Sequence, residues 1–260
     1  MYKKLLLWVI FLSFIFCGCG KKQEYTDDLD RITKQNKIVI GVRTDTMPFG
    51  FTDKKGQHAG YDVDIANIIA NALLGNEGQV EFVTVTASDR IRKLITHEVD
   101  MLVATISITE PRERILDFSV PYYAAGQAMM LPAGSNIISL RELSGKKVII
   151  VYGSTSERSI RSGIPDVNVI GYRTYDEAYN ALKSGHADAL IADDTLLYRY
   201  VLNDKSLKLL PKRYSKEYYA IAFRKDEASQ RLQIRVNSIL QSLQTSGRLN
   251  RLQEKWGIAN

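Results

Sequence analysis

Lys37-Ile38-Val39-Ile40-Gly41-Val42 is the stretch from which the fold can be read. Four β-branched residues in six positions, followed by Arg43, Thr44 and Asp45, describe a buried strand that ends in turn chemistry. The next pattern has a different period. Within 62–74, Ile65, Ile68, Ile69 and Ala72 fall at i, i+3, i+4 and i+7, one face of a helix. A strand over 80–85, a helical stripe of Ile91, Leu94 and Ile95, and an apolar strand over 101–106 follow. Buried strands alternating with amphipathic helices predict an α/β fold, a mostly parallel sheet with helices on its faces.

Further along the chain the alternation starts again. A strand over 147–151 precedes Ser154-Thr-Ser-Glu157, whose capping-box spacing predicts a helix start. After a strand over 167–170, Thr174-Tyr-Asp-Glu177 repeats that spacing and opens a helix carrying Ala178, Ala181 and Leu182. Strands over 187–192, 207–210 and 218–223, and a helix over 194–201, complete the second unit. Leu232, Val236, Ile239, Leu240 and Leu243 mark a long amphipathic helix, and Leu249, Leu252 and Trp256 a short last one. Two α/β units facing each other make a cleft, where small ligands commonly bind.

Composition narrows the function. The 260 residues are 45% hydrophobic and 25% charged, enough apolar material for a real core. The formal net charge is +6, and the basic residues are scattered, which argues against a nucleic-acid partner. Lys3 and Lys4 precede an apolar run over 5–16 interrupted only by Ser13. As a helix that run spans about 18 Å, well short of a bilayer core of about 30 Å, so it reads as a signal sequence. Gly18-Cys19 at its end resembles the lipobox of bacterial lipoproteins, with Cys19 acylated; Phe16 is atypical there, and a plain secretory signal is the alternative. These features predict a signal peptide over 1–18, a polar tether over 19–36 and an exported, lipid-anchored protein on the cell envelope. The chain has two cysteines, Cys17 and Cys19, so the rest of it holds no disulfide or cysteine metal site. His58, His97 and His186 lie far apart, and no metal or cofactor is expected.

From about Lys37 to Trp256 the chain resembles the family 3 extracellular solute-binding proteins, the amino-acid receptors of bacterial ABC importers. The resemblance is carried by Ile40-Gly-Val-Arg-Thr-Asp-Thr-Met-Pro-Phe49, Gly60-Tyr-Asp-Val-Asp64, Ala104-Thr-Ile-Ser-Ile-Thr-Glu-Pro-Arg112, Asp117-Phe-Ser-Val-Pro-Tyr-Tyr123 and Ala187-Asp-Ala-Leu-Ile-Ala-Asp193. It implies a two-lobed periplasmic-binding-protein fold joined by two hinge strands. Lobe 1 would comprise 37–126 and 217–260, and lobe 2 would be inserted over 131–213, with crossings near 126–130 and 216–220. It also implies a monomer that binds a free amino acid and hands it to a membrane permease.

A desolvated α-carboxylate and α-ammonium each need a charged partner. The resemblance assigns the carboxylate to Arg112, whose guanidinium can donate bidentately. It assigns the ammonium to Asp193. Thr105 and Ser107 lie beside Arg112 in the motif, and Thr155 at a helix N-terminus can offer N–H groups to the carboxylate. From the residues alone, Arg112 could belong to an exposed patch with Arg114, Asp193 could cap a helix, and Ser154 could merely cap its own. For the ligand side chain, Arg43 stands where many relatives have an acid, Arg90 matches an arginine of glutamate- and aspartate-selective relatives, and Tyr175 a tyrosine contact. Arg43, Arg90 and Arg112 against Asp193 leave excess positive charge, which predicts an acidic ligand, glutamate or aspartate, with glutamine as the alternative; as surface cations they would predict nothing. An enzyme on the same fold, a dehydratase for example, would need a placed proton donor, and Glu110 is the only glutamate in that loop.

Overall fold

The computed structural model describes residues 24–258; the leader and Cys19 lie outside the described residues. The first lobe begins with α1 (Asp28–Gln35), capped by the Asp27 carboxylate accepting from the Asp30 N–H. Then come β1 (Lys37–Val42), the short strands β2 (Asp45–Thr46), β3 (Gly50–Thr52) and β4 (His58–Ala59), and the helix α2 (Tyr61–Leu74). They are followed by β5 (Gln79–Thr84), α3 (Arg90–Ile95), β6 (Met101–Ser107), the single turn α4 (Glu110–Glu113), β7 (Leu116–Phe118) and β8 (Tyr123–Ala125).

The second lobe holds β9 (Gln127–Pro132), β10 (Lys147–Val151), α5 (Thr155–Gly163), β11 (Asn168–Tyr172), α6 (Tyr175–Lys183), β12 (Ala189–Asp193), α7 (Asp194–Asn203) and β13 (Leu207–Leu209). The chain then returns to the first lobe with β14 (Glu217–Arg224), α8 (Glu227–Thr245) and α9 (Arg248–Lys255). The first sheet runs β5-β1-β6-β14-β7, with β8 also on β14; the second runs β11-β10-β12-β9-β13. In each, the strands joined through helices pair parallel, β1 with β5 and β6, β10 with β11 and β12. The strands β9 and β14 that follow a crossing pair antiparallel with their neighbours. The fold is thus the expected two-lobed α/β arrangement. β6 is buried along its whole length, its apolar start and its polar Thr105 and Ser107 alike, with helices packed on it.

The two crossings are close together. The chain leaves the first sheet at Gly126, between β8 and β9, and returns immediately before Glu217. A β-carbon on Gly126 would lie 2.6 Å from the Ser215 carbonyl oxygen, so the two crossing segments touch backbone to backbone. Gly126 is also pinned to α7: it accepts from the Asp194 N–H at 2.8 Å and donates to the Asp194 carboxylate at 3.2 Å.

Two local expectations are corrected. Residues 28–35 of the expected tether are the helix α1, because Asp28 is buried and ion-paired to Arg224 while Ile32 enters the core. Polarity hid it, since α1 docks through charges as much as through apolar contacts. The capping box at Ser154 does not close: α5 starts at Thr155, but the Ser154 side chain makes no cap bond and Glu157 accepts from the Gly153 N–H instead, at 3.1 Å. The box at Thr174 closes in both directions.

Candidate functional site

The C-terminal ends of β1 and β6, the start of α5 and α6, the end of β12 and the first half of β14 converge between the lobes. Arg112, just past β6, is held there by two carbonyls. It donates to Ser107 at 2.8 Å within its own lobe and to Gly153 at 2.9 Å in the other. Burial lowers the affinity of Arg112 for its proton, opposed by the nearby Glu217 and Asp193 carboxylates. Arg112 is therefore no exposed patch residue; Arg114 is, and it pairs with Glu110 on the surface. Gly153 has φ +76°, and a β-carbon on it would lie 2.4 Å from the Ala87 carbonyl oxygen of the first lobe, so this contact between lobes requires glycine.

Asp193 occupies the N-cap position of α7 without capping it. Its carboxylate accepts instead from the Tyr219 hydroxyl of β14, and its other oxygen, Oδ1, is buried with no hydrogen-bond partner. Burial, with Glu217 adding to it, pushes the Asp193 carboxyl up to about 7. Ser154 Oγ and Arg90 Nε are likewise buried and unpartnered. Buried polar atoms are rarely left so, and three of them along one cleft are spare bonding capacity for a polar ligand.

Arg43 is 1% exposed and not a free cation. Its Nε and Nη2 donate to the two carboxylate oxygens of Asp45, at 2.8 and 2.7 Å, a bidentate pair. Burial opposes the Arg43 charge, but Asp45 outweighs it and holds the guanidinium above its ordinary range. Tyr175, the first residue of α6, lies 5.6 Å from the Arg43 guanidinium carbon, and its N–H donates to Asp45 at 3.4 Å across the lobes. Arg90 is also buried, but it has no carboxylate partner: Nη1 donates to the carbonyls of Ala104 at 2.6 Å and Thr105 at 3.1 Å. Burial, then Arg112 and Arg43, depress its proton affinity well below the ordinary value. Neither arginine is the surface cation that the residues alone allowed.

The cleft thus brings together Arg43, Arg90, Thr105, Ser107, Arg112, Tyr175 and Asp193. Thr155 lies on the rim, in a groove of ≈ 740 Å³ that it shares with Arg112, Gly153, Arg158 and Glu217. On the other flank a cavity of ≈ 650 Å³, lined by Met47, Tyr198, Leu202 and Trp256, contains none of these side chains. The spacing reading missed Asp45, Asp62 and Tyr219. Asp45 and Asp62 stand inside the quoted motifs, Thr44-Asp45-Thr46 and Gly60-Tyr-Asp-Val-Asp64; for Asp45 the available signal was an acid two residues from Arg43. Nothing local marks Tyr219, which reaches Asp193 only because β14 crosses between the lobes.

Comparison with known proteins agrees with this geometry. The family model of bacterial extracellular solute-binding proteins, family 3, matches residues 38–259. The ABC transporter glutamine-binding protein GlnH of Bacillus subtilis (strain 168) is 37% identical over 257 residues, 95% of this chain and 93% of that one. The glutamine-binding protein of Geobacillus stearothermophilus is 38% identical over 203 residues, 77% of this chain and 78% of that one. Among solved structures, an ancestral arginine-binding protein bound to glutamine superposes with a TM-score of 0.78 at 34% identity, covering 86% of this chain and 98% of that one. A two-lobed α/β fold with a polar, doubly charged cleft between its lobes and a family match over nearly all the described chain leave one assignment: this chain belongs to the bacterial extracellular solute-binding proteins of family 3, amino-acid-binding components of ABC importers and not enzymes.

Proposed function

We propose that the amino acid is glutamine, held with its α-carboxylate on Arg112 and Thr155 and its α-ammonium on Asp193 and Ser107. The observation that carries this reading is the bidentate Arg43–Asp45 pair. With Arg43 neutralised by Asp45, one of the two excess positive charges that favoured an acidic ligand disappears. Arg112 then takes the ligand carboxylate and Asp193 its ammonium, and a zwitterion with a neutral side chain leaves only Arg90, which the Ala104 and Thr105 carbonyls already hold. A carboxamide offers one acceptor and two donors, suited to a wall that contains both Arg90 and Asp45. The similarity to two glutamine-binding proteins supports the same choice.

Glutamate is the second reading, favoured by Arg90, which meets only carbonyl oxygens and could take a second carboxylate. Isothermal titration of the mature domain with glutamine, glutamate, aspartate and arginine decides between them. Glutamine binding at least tenfold more tightly than glutamate is the expected result. The reverse order returns the assignment to an acidic ligand and leaves the family unchanged.

Capture is by closure of the lobes about Gly126 and the segment before Glu217, with lobe 1 over 28–126 and 217–258 and lobe 2 over 131–213. Small-angle scattering should show a smaller radius of gyration with ligand. The receptor works as a monomer, exported and lipid-anchored at Cys19. Intact mass of the membrane-extracted protein should show acyl groups on that residue, and an unmodified N-terminus elsewhere removes the anchor.

A further inference from the structure

At the end of β6 the chain does something a strand should not. Thr105 has φ +46°, a left-handed conformation that a β-branched side chain strongly disfavours. In an extended strand successive carbonyls point to opposite sides, whereas in a helical-type bend of either hand they run side by side. The bend at Thr105 therefore lets the carbonyls of Ala104 and Thr105 converge on one group, and that group is Nη1 of Arg90. The N–H on the other side of the same Ala104–Thr105 peptide meets Asp62, donating to Oδ2 at 2.9 Å. The second Asp62 oxygen, Oδ1, accepts from the Tyr122 hydroxyl at 2.9 Å, and the side chain is fully buried. One peptide plane is thus held between a carboxylate and a guanidinium.

We infer that Asp62 is the positioning residue for Arg90. Asp62, itself fixed by Tyr122 and by the start of α2, clamps the left-handed bend at Thr105, and the bend presents the two carbonyls that aim Arg90 into the cleft. The inference rests on the reading that Arg90 faces the ligand side chain, but not on which side chain that is. It separates Asp62 from a simple counterion of the buried arginines, since a clamp needs an acceptor oxygen at Oδ2 and a counterion needs the charge.

The experiment is a set of titrations with L-glutamine, and with L-glutamate if wild type prefers it, together with thermal melts. Asp62→Ala should weaken binding at least tenfold. Asp62→Asn, which keeps an acceptor for the Thr105 N–H and loses the charge, should recover most of that loss. In a Thr105→Gly background, where the left-handed bend needs no clamp, adding Asp62→Ala should cost no more than about twofold relative to Thr105→Gly alone. Equal losses for Asn and Ala overturn the inference, as does a full loss in both backgrounds or no loss in either. If Asp62→Ala alone does not fold, the double variant with Thr105→Gly should; its failure to fold also overturns the clamp. Wild type that binds neither amino acid would instead count against the ligand assignment, which keeps the two failures distinct.

Discussion

Among the described residues, charge is buried beneath α1 and in the cleft, and the two regions are built differently. Beneath α1, Arg224 reaches Asp28, which also accepts from the Ser229 hydroxyl at 2.8 Å, while Arg224 donates to the Val99 carbonyl at 3.1 Å. Beside it Arg31 pairs with Asp100, whose other oxygen takes the Val39 N–H at 2.8 Å. In the cleft, by contrast, Arg90 has no carboxylate, Asp193 has a bare oxygen, and Arg112 meets only carbonyls. The first region has spent its charges on the fold. The second keeps them available, at the cost of stability that a bound zwitterion restores. A carboxylate neighbour, more than charge itself, separates the two: Arg224 Nε also lacks a hydrogen bond, but it lies 3.4 Å from Asp226, whereas Arg90 meets no carboxylate.

The largest effect that tests this contrast is on stability. Removing one partner of a buried pair costs about 3–5 kcal/mol. Asp28→Ala should therefore lower the melting temperature on the order of 10 °C and leave ligand affinity within error. A shifted affinity in that variant would erase the division between the two regions. Arg112→Ala should do the opposite: affinity should fall about a hundredfold, equivalent to about 3 kcal/mol, because the ligand carboxylate is left desolvated and unpaired. Calorimetry finding near-normal binding would remove Arg112 from the site.

Asp45 sharpens the comparison, since it is the carboxylate that makes Arg43 resemble the structural region. Asp45→Asn should release the Arg43 charge into the cleft and shift preference from glutamine toward glutamate by roughly tenfold, as one partly screened buried charge allows. An unchanged ratio of the two affinities would mean that Arg43 is out of reach of the ligand.

The smallest effect is on pH. The Asp193 carboxyl titrates near 7 in the folded protein against an ordinary 3.8. Between those values the ligand-free fold binds a proton that the unfolded chain has lost, so its stability falls as pH rises through that window and levels off above it. An ammonium on Asp193 requires the ionised form. Binding at pH 6 should then release a proton, and the release should vanish above pH 8. Titrations in buffers of different ionisation enthalpy measure it directly, and a proton count independent of pH would take Asp193 away from the ammonium.

Much of the molecule is legible in order along the chain. The period of 62–74 and the apolar run of β6 are local facts, because burial of a helix face or a strand depends on residues a few positions apart. Capping is less local than its spacing suggests: Thr174 and Glu177 close a box, while Ser154 and Glu157 at identical spacing do not, because Gly153 takes the glutamate. The motif around Arg112 and Asp193 likewise announces polar groups at strand ends. What it cannot announce is the partner of each group. Arg43 looked like surplus charge until the turn after β1 folded Asp45 back onto it.

The sequence by itself determined the α/β alternation and the two units, since these follow from periodicity, and its family motifs pointed to the cleft and to the residue types proposed to meet an amino acid. Only the tertiary structure decided that α1 belongs to the first lobe, that Tyr219 crosses to Asp193, that Asp62 holds the peptide on which Arg90 rests, and that Arg43 is neutral in effect. The physical reason is that net charge at a site is a sum over neighbours in space. A pair such as Asp28 and Arg224, or Tyr219 and Asp193, is brought within bonding distance by strand order, which no local pattern encodes.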